Sequence, residues 1–346
     1  MKTRILVTGV GCPGGPGIIS ALKLLNNNID VIGIDARPDA SGVTLCDEFH
    51  LVPMANSSEF FFSVEKIVKK SEVNIIIPLV TLELAKFAKY RDYLKEQYHC
   101  DVLVSQEDTI NIANDKIELY NRCIGIDIGL PDYEVTDQFD KLITLVDRFL
   151  ETRSRCVIKP GLSNGSRGVR VVSKEAQNFE SVVLSKPGSL SISRDYLASL
   201  KSNNNYMSPY MVCDYLDGTE ITVDLVVNRQ EILICMMRTR DQMRSGISTA
   251  GTFFFDYGLK KILNKIVRLF DFYGPVGFQF MKTKKDYFLI ECNPRLQGTS
   301  MASMAFDLNI PIELVKLSST GDCHRFQSEA NRKFSRYYKE IFYDQK

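Results

Sequence analysis

The sequence has no excess of charge of either sign and no long apolar run. Its 346 residues contain 43 Lys+Arg against 42 Asp+Glu, a formal net charge of +1. Without a concentrated basic field, binding to nucleic acid or to an anionic membrane surface is not expected. No apolar run approaches the ~20 residues that a bilayer span needs, and the run near the N-terminus is too short for a signal peptide. We therefore expect a cytoplasmic protein that acts on small molecules.

Histidine and paired cysteines are also scarce. Only three histidines occur, which leaves little room for histidine-based catalysis or a histidine metal cage. The nine cysteines are scattered without a close pair, so neither zinc nor thioredoxin-type spacing is present, and we expect reduced, buried thiols. Any chemistry is therefore expected from lysine, arginine and carboxylate side chains. The length predicts two or three domains.

The first hundred residues alternate short β-branched runs with longer amphipathic stretches, which predicts a parallel sheet flanked by helices. Strands are predicted at RILVT, DVIGID, EFHLV, NIIIPL and DVLVS.

The rest of the chain has the pattern of antiparallel sheet. The pair RCVIKP and GVRVV, the run YMVCDYL, EITVDLVV and EILICMMR, and the pair GFQFMK and YFLIECN are predicted strands. A helix is predicted over residues 259–272. Residues 185–206 are expected to form a mobile surface connection and residues 239–252 a polar loop. A charged tail is predicted from Arg325.

The first of three candidate motifs is Gly9-Val-Gly11-Cys-Pro-Gly14. It fits Gly-x-Gly-x-x-Gly between a strand and a helix, and Asp35 ends the next strand, as in a dinucleotide-binding fingerprint. Pro13 and a second proline at position 16 each remove a backbone donor that a pyrophosphate would use. An NAD(P) site and a simple tight turn are both open, and we favour the turn.

The second motif, Gly161-Leu-Ser163-Asn-Gly165, fits the nucleophile elbow of serine hydrolases. That elbow needs a helix directly after the serine and a histidine partner. Here a predicted strand follows, and the histidine downstream, His324, lies in a polar segment. A serine hydrolase is therefore not favoured.

The third candidate is a constellation spread over the second half. Lys159 ends a predicted strand and precedes a loop rich in glycine and serine. Such a loop can fold over phosphates, with backbone amides and hydroxyls as donors and the lysine as positive charge. On the last predicted hairpin, Gln279 lies on one strand, while Glu291 and Asn293, two residues apart on the other, share a face. Oxygen ligands of this kind suit Mg²⁺ when phosphates complete its shell.

Lys116, the loop after Lys159, DYLDGTEITVD and Gln279…Glu291-x-Asn293-Pro-Arg295 occur in this order. With them the sequence resembles the ATP-grasp superfamily, most closely its carbamoyl-phosphate-synthase-like and amino-acid-ligase branches. The resemblance implies an α/β (α+β) fold, with an N-terminal doubly wound parallel-sheet domain followed by a two-subdomain ATP-grasp fold. The implied parts are a Rossmann-like domain at residues 1–105, a small subdomain with the glycine-rich loop and linker at residues 106–206, a large subdomain with the metal site at residues 207–324, and the charged tail at residues 325–346.

The resemblance also implies residue roles. Arg295 would lie near the transferring phosphate. Gln279, Glu291 and Asn293 would bind two Mg²⁺ ions, for which Mn²⁺ could substitute, although an acid is common where Gln279 stands. ATP would be bound by two lysines, the loop, the adenine hinge and a ribose-binding acid: Lys116, Lys159, Gly161, Ser163, Gly165, Ser166, Gly168, Asp214, Tyr215, Leu216 and Glu220.

The implied activity is an ATP-dependent carboxylate–amine ligase, in which an acyl phosphate forms from the substrate carboxylate and reacts with an amine. Arg295, Lys159 and Arg244 are the candidate catalytic residues. From the polar loop we expect Arg240, Arg244 and Ser248 to bind the substrate. The alternatives are an NAD(P)-dependent oxidoreductase and a non-catalytic ATP-binding regulatory module. A homodimer is expected only because it is the commonest oligomer.

Overall fold

The structure is a computed structural model that describes residues 2–24, 28–163, 167–175, 190–200, 205–244, 246–328 and 332–343. It divides into two compact units, each made from separate stretches of the chain. Unit 1 comprises Met1–Asn114, Glu220–Gln279 and Glu291–Lys346, and unit 2 comprises Asp115–Thr219 and Phe280–Ile290. No helix within the described ranges is long and apolar enough to cross a membrane.

Unit 1 begins with the predicted parallel sheet, in the strand order β3-β2-β1-β4-β5. Its strands are β1 (Thr3–Thr8), β2 (Ile29–Asp35), β3 (Glu48–Leu51), β4 (Ile75–Ile77) and β5 (Asp101–Val102). The helices in this part of the chain are α1 (Gly15–Lys23), α2 (Phe60–Lys70), α3 (Thr81–Tyr98) and α4 (Glu107–Asn114). The α/β prediction for this region is confirmed.

A larger sheet completes unit 1, in the order β13-β14-β12-β11-β15-β16, with β17 beside β12 and β18 beside β14. Its strands are β11 (Thr219–Arg229), β12 (Glu231–Thr239), β13 (Gln242–Arg244), β14 (Ile247–Phe254), β15 (Phe272–Lys282), β16 (Tyr287–Asn293), β17 (Phe326–Gln327) and β18 (Lys333–Ser335). The tip of the β15–β16 hairpin belongs to unit 2. Two helices, α8 (Tyr257–Val267) and α9 (Ile310–Thr320), accompany this sheet.

Several expectations for this region were wrong. Residues 239–252, predicted as a polar loop, contain the hairpin of β13 and β14; all three residues of β13 are exposed, so this strand shows no alternation of buried and exposed positions. Within the charged tail predicted from Arg325, β17 pairs with β12 and β18 pairs with β14, and the sequence did not predict these two strands. The helix predicted to reach Phe272 ends at Val267 instead.

The parallel sheet and the larger sheet of unit 1 share one hydrophobic core. Ile5 and Ile18 from the N-terminal part lie in the same buried cluster as Val226 and Leu314 from the C-terminal part. Each such aliphatic side chain contributes roughly 1.5–3 kcal/mol on burial. A hydrogen bond of 2.8 Å from the Asn309 side chain to the Ala21 carbonyl joins α9 to α1. The N-terminal sheet is therefore a packed part of unit 1.

Unit 2 contains a sheet in the order β6-β10-β7-β8-β9. Its elements are α5 (Lys116–Cys123), β6 (Tyr133–Gln138), α6 (Phe139–Thr152), β7 (Arg155–Pro160), β8 (Arg170–Ser173), β9 (Ser191–Ser193), α7 (Arg194–Ser199) and β10 (Tyr206–Asp214). Leu142, Val146 and Phe149 recur at helical spacing on α6 and pack on Ile158 and Val212 of the sheet.

The mobile connection expected at 185–206 was wrong for residues 190–200, which form β9 and α7. The Ser193 hydroxyl caps α7 through the Tyr196 amide at 3.1 Å. Two hydrogen bonds of 2.6 Å join the Arg194 guanidinium to the Asp147 carboxylate on α6. A helix cap and a long-range ion pair produce no hydrophobic periodicity in the sequence, so the hydrophobic pattern could not predict β9 and α7.

Candidate active site

The first predicted lysine, Lys116, lies in the first turn of α5 and is joined to the glycine-rich loop. The Asp115 carboxylate caps this helix by accepting a 2.8 Å hydrogen bond from the Ile117 amide. The buried Lys116 ammonium group is 3.1 Å from the Ser163 hydroxyl and 3.3 Å from the Ser163 carbonyl. The Lys116 amide also donates to the Gly161 carbonyl at 3.0 Å. The helix start and the first residues of the loop are thus held together by backbone and side-chain contacts.

The second predicted lysine, Lys159, ends β7 and is also buried. Its ammonium group donates to the Tyr120 hydroxyl at 3.0 Å and lies 3.5 Å from the Ile290 carbonyl. The Tyr120 hydroxyl in turn donates to the Leu289 carbonyl at 2.8 Å. Sequence reasoning missed Tyr120. Its signal is the four-residue spacing from Lys116, which places both side chains on one face of α5.

The remainder of the glycine-rich loop is described only at its ends. Gly168 has a φ of +77°, and a Cβ there would lie 2.9 Å from the Pro160 ring, so a glycine suits this position. The predicted Gly165 and Ser166 lie outside the described residues. The strand β8 follows the loop where a nucleophile elbow needs a helix, and this argues against Ser163 as a hydrolase nucleophile.

The predicted adenine hinge lies at the end of β10. The Asp214 carboxylate forms an ion pair with the Arg153 guanidinium. The Arg155 guanidinium lies 4.0 Å from the centre of the Tyr215 ring, and Leu216 follows in the connection to β11. The Asp214 side chain is thus engaged by an arginine of its own unit.

In unit 1, charged side chains alternate along β11 and β12 and share one face of the larger sheet. The Arg240 Nε atom is 3.1 Å from a Glu220 carboxylate oxygen. Arg238, which is fully buried, forms an ion pair with Asp224. The Gln297 amide donates to Asp224 at 2.9 Å. Buried charges are stabilised by oppositely charged partners and by hydrogen bonds. Each charge here has an oppositely charged partner, whereas within the described residues the Nε atoms of Arg238 and Arg240 and one Glu220 oxygen make no hydrogen bond.

Gly277 on β15 makes room for Gln297. A Cβ at Gly277 would lie 2.3 Å from atoms of the Gln297 amide, so any side chain there would displace the amide from Asp224. The Ser300 hydroxyl also donates to Asp224, at 2.8 Å. Hydrogen bonds from Gln297 and Ser300 to Asp224 on β11 therefore join the segment that follows Arg295 to the larger sheet.

The three predicted metal ligands occupy the ends of β15 and β16. The Asn293 amide donates to the Glu291 carboxylate at 2.9 Å, which joins the two side chains on one face. The Arg295 guanidinium donates to the Asn293 side-chain oxygen at 3.3 Å and to the Thr81 hydroxyl at 3.0 Å. Burial lowers the pKa of Arg295 from its usual value, and the Glu291 carboxylate opposes this shift. Gln279 is half-buried on β15.

The donor set at this position fits Mg²⁺ chemically. Within the described ranges, no group of three or more His, Cys, Asp or Glu side chains could hold a metal ion. Glu291, Asn293 and Gln279 instead offer one carboxylate and two amide oxygens. Mg²⁺ commonly takes one or two protein carboxylates and fills its shell with water and substrate phosphates. The set thus suits an ion that arrives with a nucleotide.

The three residues predicted to bind substrate lie on or beside the β13–β14 hairpin in different surroundings. Arg240 is held by Glu220 and donates to the Gly246 carbonyl at 2.6 Å. Arg244 is exposed, with its guanidinium 5.2 Å from the Tyr338 ring centre and 3.2 Å from the Tyr338 hydroxyl. Ser248 on β14 is buried. The charge of Arg240 is thus compensated by the Glu220 carboxylate, whereas the Arg244 guanidinium lies against the Tyr338 ring.

The N-terminal glycine loop uses its backbone donors within the protein. The Gly11 amide donates to the Asp35 carboxylate at 2.9 Å. The Cys12 amide donates to the Gly9 carbonyl and the Gly15 amide to the Cys12 carbonyl, at 2.8 and 2.9 Å. In a dinucleotide site, these backbone amides would face the pyrophosphate, and Asp35 would accept a hydrogen bond from a ribose hydroxyl. The geometry therefore argues against dinucleotide binding.

The same loop packs against the C-terminal part of unit 1. A Cβ added at Gly14 would lie 3.1 Å from the Gly298 Cα atom. The Arg336 guanidinium, just after β18, donates to the Pro13 carbonyl at 2.8 Å. The glycines thus permit a close approach between two parts of unit 1.

Beneath this loop lies a buried carboxyl group. The Thr8 hydroxyl, at the end of β1, donates to the Glu83 carboxylate in the first turn of α3. Burial raises the pKa of Glu83 to about 7, while the hydrogen bond from Thr8 opposes this and the Asp35 charge adds to it. Glu83 is thus a carboxyl group that titrates near neutral pH.

Two family models match separate parts of the chain. Residues 206–338 match a family described as ATP-grasp in the biosynthetic pathway with Ter operon. Residues 5–103 match the PylC-like N-terminal domain family. A curated relative, the formate-dependent phosphoribosylglycinamide formyltransferase of Burkholderia vietnamiensis, is 22% identical over 180 residues, or 50% of this chain and 40% of the relative. The chain therefore spans less than half the length of this relative.

Solved structures resemble the chain over most of its length. N5-carboxyaminoimidazole synthetase from Staphylococcus aureus, complexed with ADP, matches 97% of this chain and 81% of its own, with a TM-score of 0.65 and 14% identity. L-amino acid ligase from Bacillus licheniformis matches 92% of this chain and 74% of its own, with a TM-score of 0.64 and 11% identity. These structures show the fold, and the ATP-grasp match at residues 206–338 agrees with the ATP-binding reading of the sequence and not with the NAD(P)-dependent oxidoreductase.

Proposed function

Because the chain belongs to the ATP-grasp superfamily, we propose that it is an ATP-dependent carbon–nitrogen ligase that activates a carboxylate and joins it to an amine. The substrate carboxylate attacks the γ-phosphate of ATP, which gives an acyl phosphate and ADP. The amine then attacks the acyl carbon, forms the amide and releases phosphate. The activities of two similar proteins support this, since one is a formate-dependent formyltransferase and the other is an L-amino acid ligase.

The two buried lysines of unit 2 would bind the nucleotide phosphates. Lys116 and Lys159 provide ammonium groups, and backbone donors would come from the loop that begins at Gly161. Phosphoryl transfer depends on positioning and on charge neutralisation more than on a covalent nucleophile, and lysines at fixed positions supply both. The hinge assignment of Asp214, Tyr215 and Leu216 belongs to this proposal.

Arg295 and the proposed metal ligands, which belong to unit 1, would neutralise charge on the transferring phosphoryl group. When bound through Glu291, Asn293 and Gln279, Mg²⁺ would polarise the phosphate oxygens, and we propose two ions with Mn²⁺ as a substitute. Arg295 is oriented by Asn293 and Thr81, so its planar donors are fixed before substrate binds. The Glu291–Asn293–Arg295 chain of hydrogen bonds is the observation that carries the proposal, because it orders a carboxylate, an amide and a guanidinium on one short segment.

Arg244 and Ser248 stay candidates for the substrate carboxylate. Arg240 is a weaker anion site than the sequence suggested, since Glu220 already compensates its charge. Glu220, proposed as the ribose-binding acid, would have to share its carboxylate with Arg240. A homodimer and a cytoplasmic location, where MgATP is supplied, complete the proposal.

The proposal is tested by measuring ADP release from MgATP in the presence of pooled amino acids and small carboxylates, with mass spectrometry of the products. We expect ADP release that depends on the pool and a product one water lighter than its two parents. Glu291→Ala should lose this turnover while keeping the wild-type circular dichroism spectrum. Pool-independent ADP release, or full turnover by Glu291→Ala, would contradict the proposal.

A further inference from the structure

Tyr120 lies beside Lys159 in unit 2, and no role in the proposed reaction has yet been given to it. It is fully buried. Its ring packs edge-on against the Tyr133 ring, with centres 5.3 Å apart. Its hydroxyl contacts the Leu289 carbonyl and the Lys159 ammonium group. With these contacts, the Tyr120 hydroxyl can orient the Lys159 ammonium group as well as stabilise the fold.

The direction of these hydrogen bonds is set by chemistry. The Leu289 and Ile290 carbonyls can only accept, and they lie 2.8 and 3.2 Å from the Tyr120 hydroxyl oxygen, so the single phenolic hydrogen points towards these two carbonyls of β16. The Lys159 ammonium group can only donate, so it binds the lone pairs of the same oxygen at 3.0 Å. The ammonium group also lies 4.9 Å from the Tyr120 ring centre, within range of a cation–π contact. Tyr120 therefore holds Lys159 through two interactions.

These contacts also connect Lys159 to two other elements. Leu289 and Ile290 belong to β16, the strand that carries Glu291 and Asn293. Tyr120 belongs to α5, whose first turn carries Lys116 and is fixed by the Asp115 cap. A flexible lysine side chain has about 2 kcal/mol of rotamer entropy to lose on binding a phosphate. A lysine already held in place loses less of it when a nucleotide arrives.

Resting on the proposed function, we infer that Tyr120 is a positioning residue for Lys159, which orients the ammonium group for the nucleotide phosphates. A hydrogen bond to a charged group is worth more than a neutral one. Removing the phenolic oxygen should therefore weaken ATP binding roughly tenfold or more.

The test is calorimetric titration of ATP into the wild type and Tyr120→Phe, with Tyr133→Phe as the matched control. Tyr133 is a neighbouring tyrosine whose hydroxyl donates to the Asn121 side chain at 2.8 Å and not to a lysine. We expect about a tenfold higher Kd for Tyr120→Phe and a change of less than about twofold for Tyr133→Phe. An unchanged Kd in Tyr120→Phe, with ATP binding by the wild type intact, would overturn this inference alone. Absence of ATP binding by the wild type would overturn the proposed function with it.

A double-mutant cycle separates positioning from simple structural support. In the Lys159→Met background, Tyr120→Phe should alter the ATP Kd by less than about twofold, because the group it positions is gone. Its effect on the melting temperature should persist in both backgrounds, since the hydrogen bond from the Tyr120 hydroxyl to the β16 carbonyls is lost in each. Equal weakening of ATP binding in both backgrounds would overturn the positioning role.

If Tyr120→Phe does not fold, the wild type provides a second measurement. In protein labelled with ¹⁵N-lysine, the Lys159 ammonium protons, assigned by their loss in Lys159→Met, should exchange with water more slowly than those of exposed lysines. Exchange as fast as that of exposed lysines would overturn the inference.

Discussion

Two glycine-rich loops follow strands in this chain, and they have different surroundings. The loop from Gly9 to Gly14 donates its amides to protein oxygens and packs against Gly298. The loop that begins at Gly161 is bound at its first residues by Lys116, a cation whose ammonium group contacts Ser163. The first loop thus packs two parts of unit 1 together, whereas the second lies in contact with the Lys116 side chain.

The difference teaches what a glycine pattern can and cannot predict. Glycine permits close approach by any group, including a phosphate, a carboxylate or another backbone. Which group arrives depends on donors and charges that come from elsewhere in the chain. Asp35 lies where a dinucleotide fingerprint needs an acid, yet it accepts from the Gly11 amide.

The largest expected effect concerns Glu83, beneath the first loop. Folding raises its pKa from 4.5 to about 7, so the native state binds a proton that the unfolded state releases in this window. The stabilisation is complete below pH 4.5, falls as pH rises, and is lost above about pH 7. The total is on the order of 3 kcal/mol.

Urea unfolding of the wild type and Glu83→Gln from pH 4.5 to 8 would measure this effect. The wild type should lose stability relative to Glu83→Gln across the window, since the amide does not titrate. Parallel pH profiles of the two proteins would show that Glu83 does not titrate in this range.

The second prediction compares the loops directly. Lys159→Met should weaken ATP binding by about 10- to 100-fold, because charge-assisted hydrogen bonds to phosphate are lost. Asp35→Ala should leave the ATP Kd unchanged and should not affect NAD(P)H binding, which we expect to be absent in both proteins. Calorimetry with each nucleotide provides the measurement. A loss of ATP affinity in Asp35→Ala and not in Lys159→Met would reverse the comparison.

The smallest expected effect is at Gly14. Gly14→Val should lower the free energy of unfolding by roughly 1–3 kcal/mol, because the added side chain meets the Gly298 backbone. Its ATP Kd should match the wild type. Gly125→Ala is a useful control for added bulk, since a Cβ there meets no atom within 4 Å, although its φ of +90° adds backbone strain of its own. A Gly14→Val protein as stable as the wild type would show that the close approach is relaxed at no cost.

The sequence predicted the buried parts of the fold better than its edges. Strands β1, β2 and β4 of the parallel sheet were predicted because they are short runs rich in buried β-branched residues, as in Ile75–Ile77. The edge strands β13, β17 and β18 were missed, since they are only two or three residues long and mostly polar. Short edge strands depend on a partner that lies far away in the sequence.

For the candidate site, residue types could be predicted and pairings could not. Glu291 and Asn293 share a face because of strand periodicity, and their hydrogen bond agrees with this. The contacts of Arg240 with Glu220 and of Arg244 with Tyr338 join residues 20 and 94 positions apart. No local pattern encodes such contacts. The functional roles of these residues stay predictions until the variants are measured.

The discontinuous make-up of the two units has a consequence for synthesis on the ribosome. The core of unit 1 needs Leu314 and the edge of its larger sheet needs β18, so the parallel sheet emerges long before its packing partners. Unit 2 in turn waits for Phe280–Ile290. Domains generally fold as units while the chain is made at about 5–20 residues per second. The nascent N-terminal sheet would therefore remain incompletely covered for many seconds, which makes this chain a candidate for chaperone protection during translation.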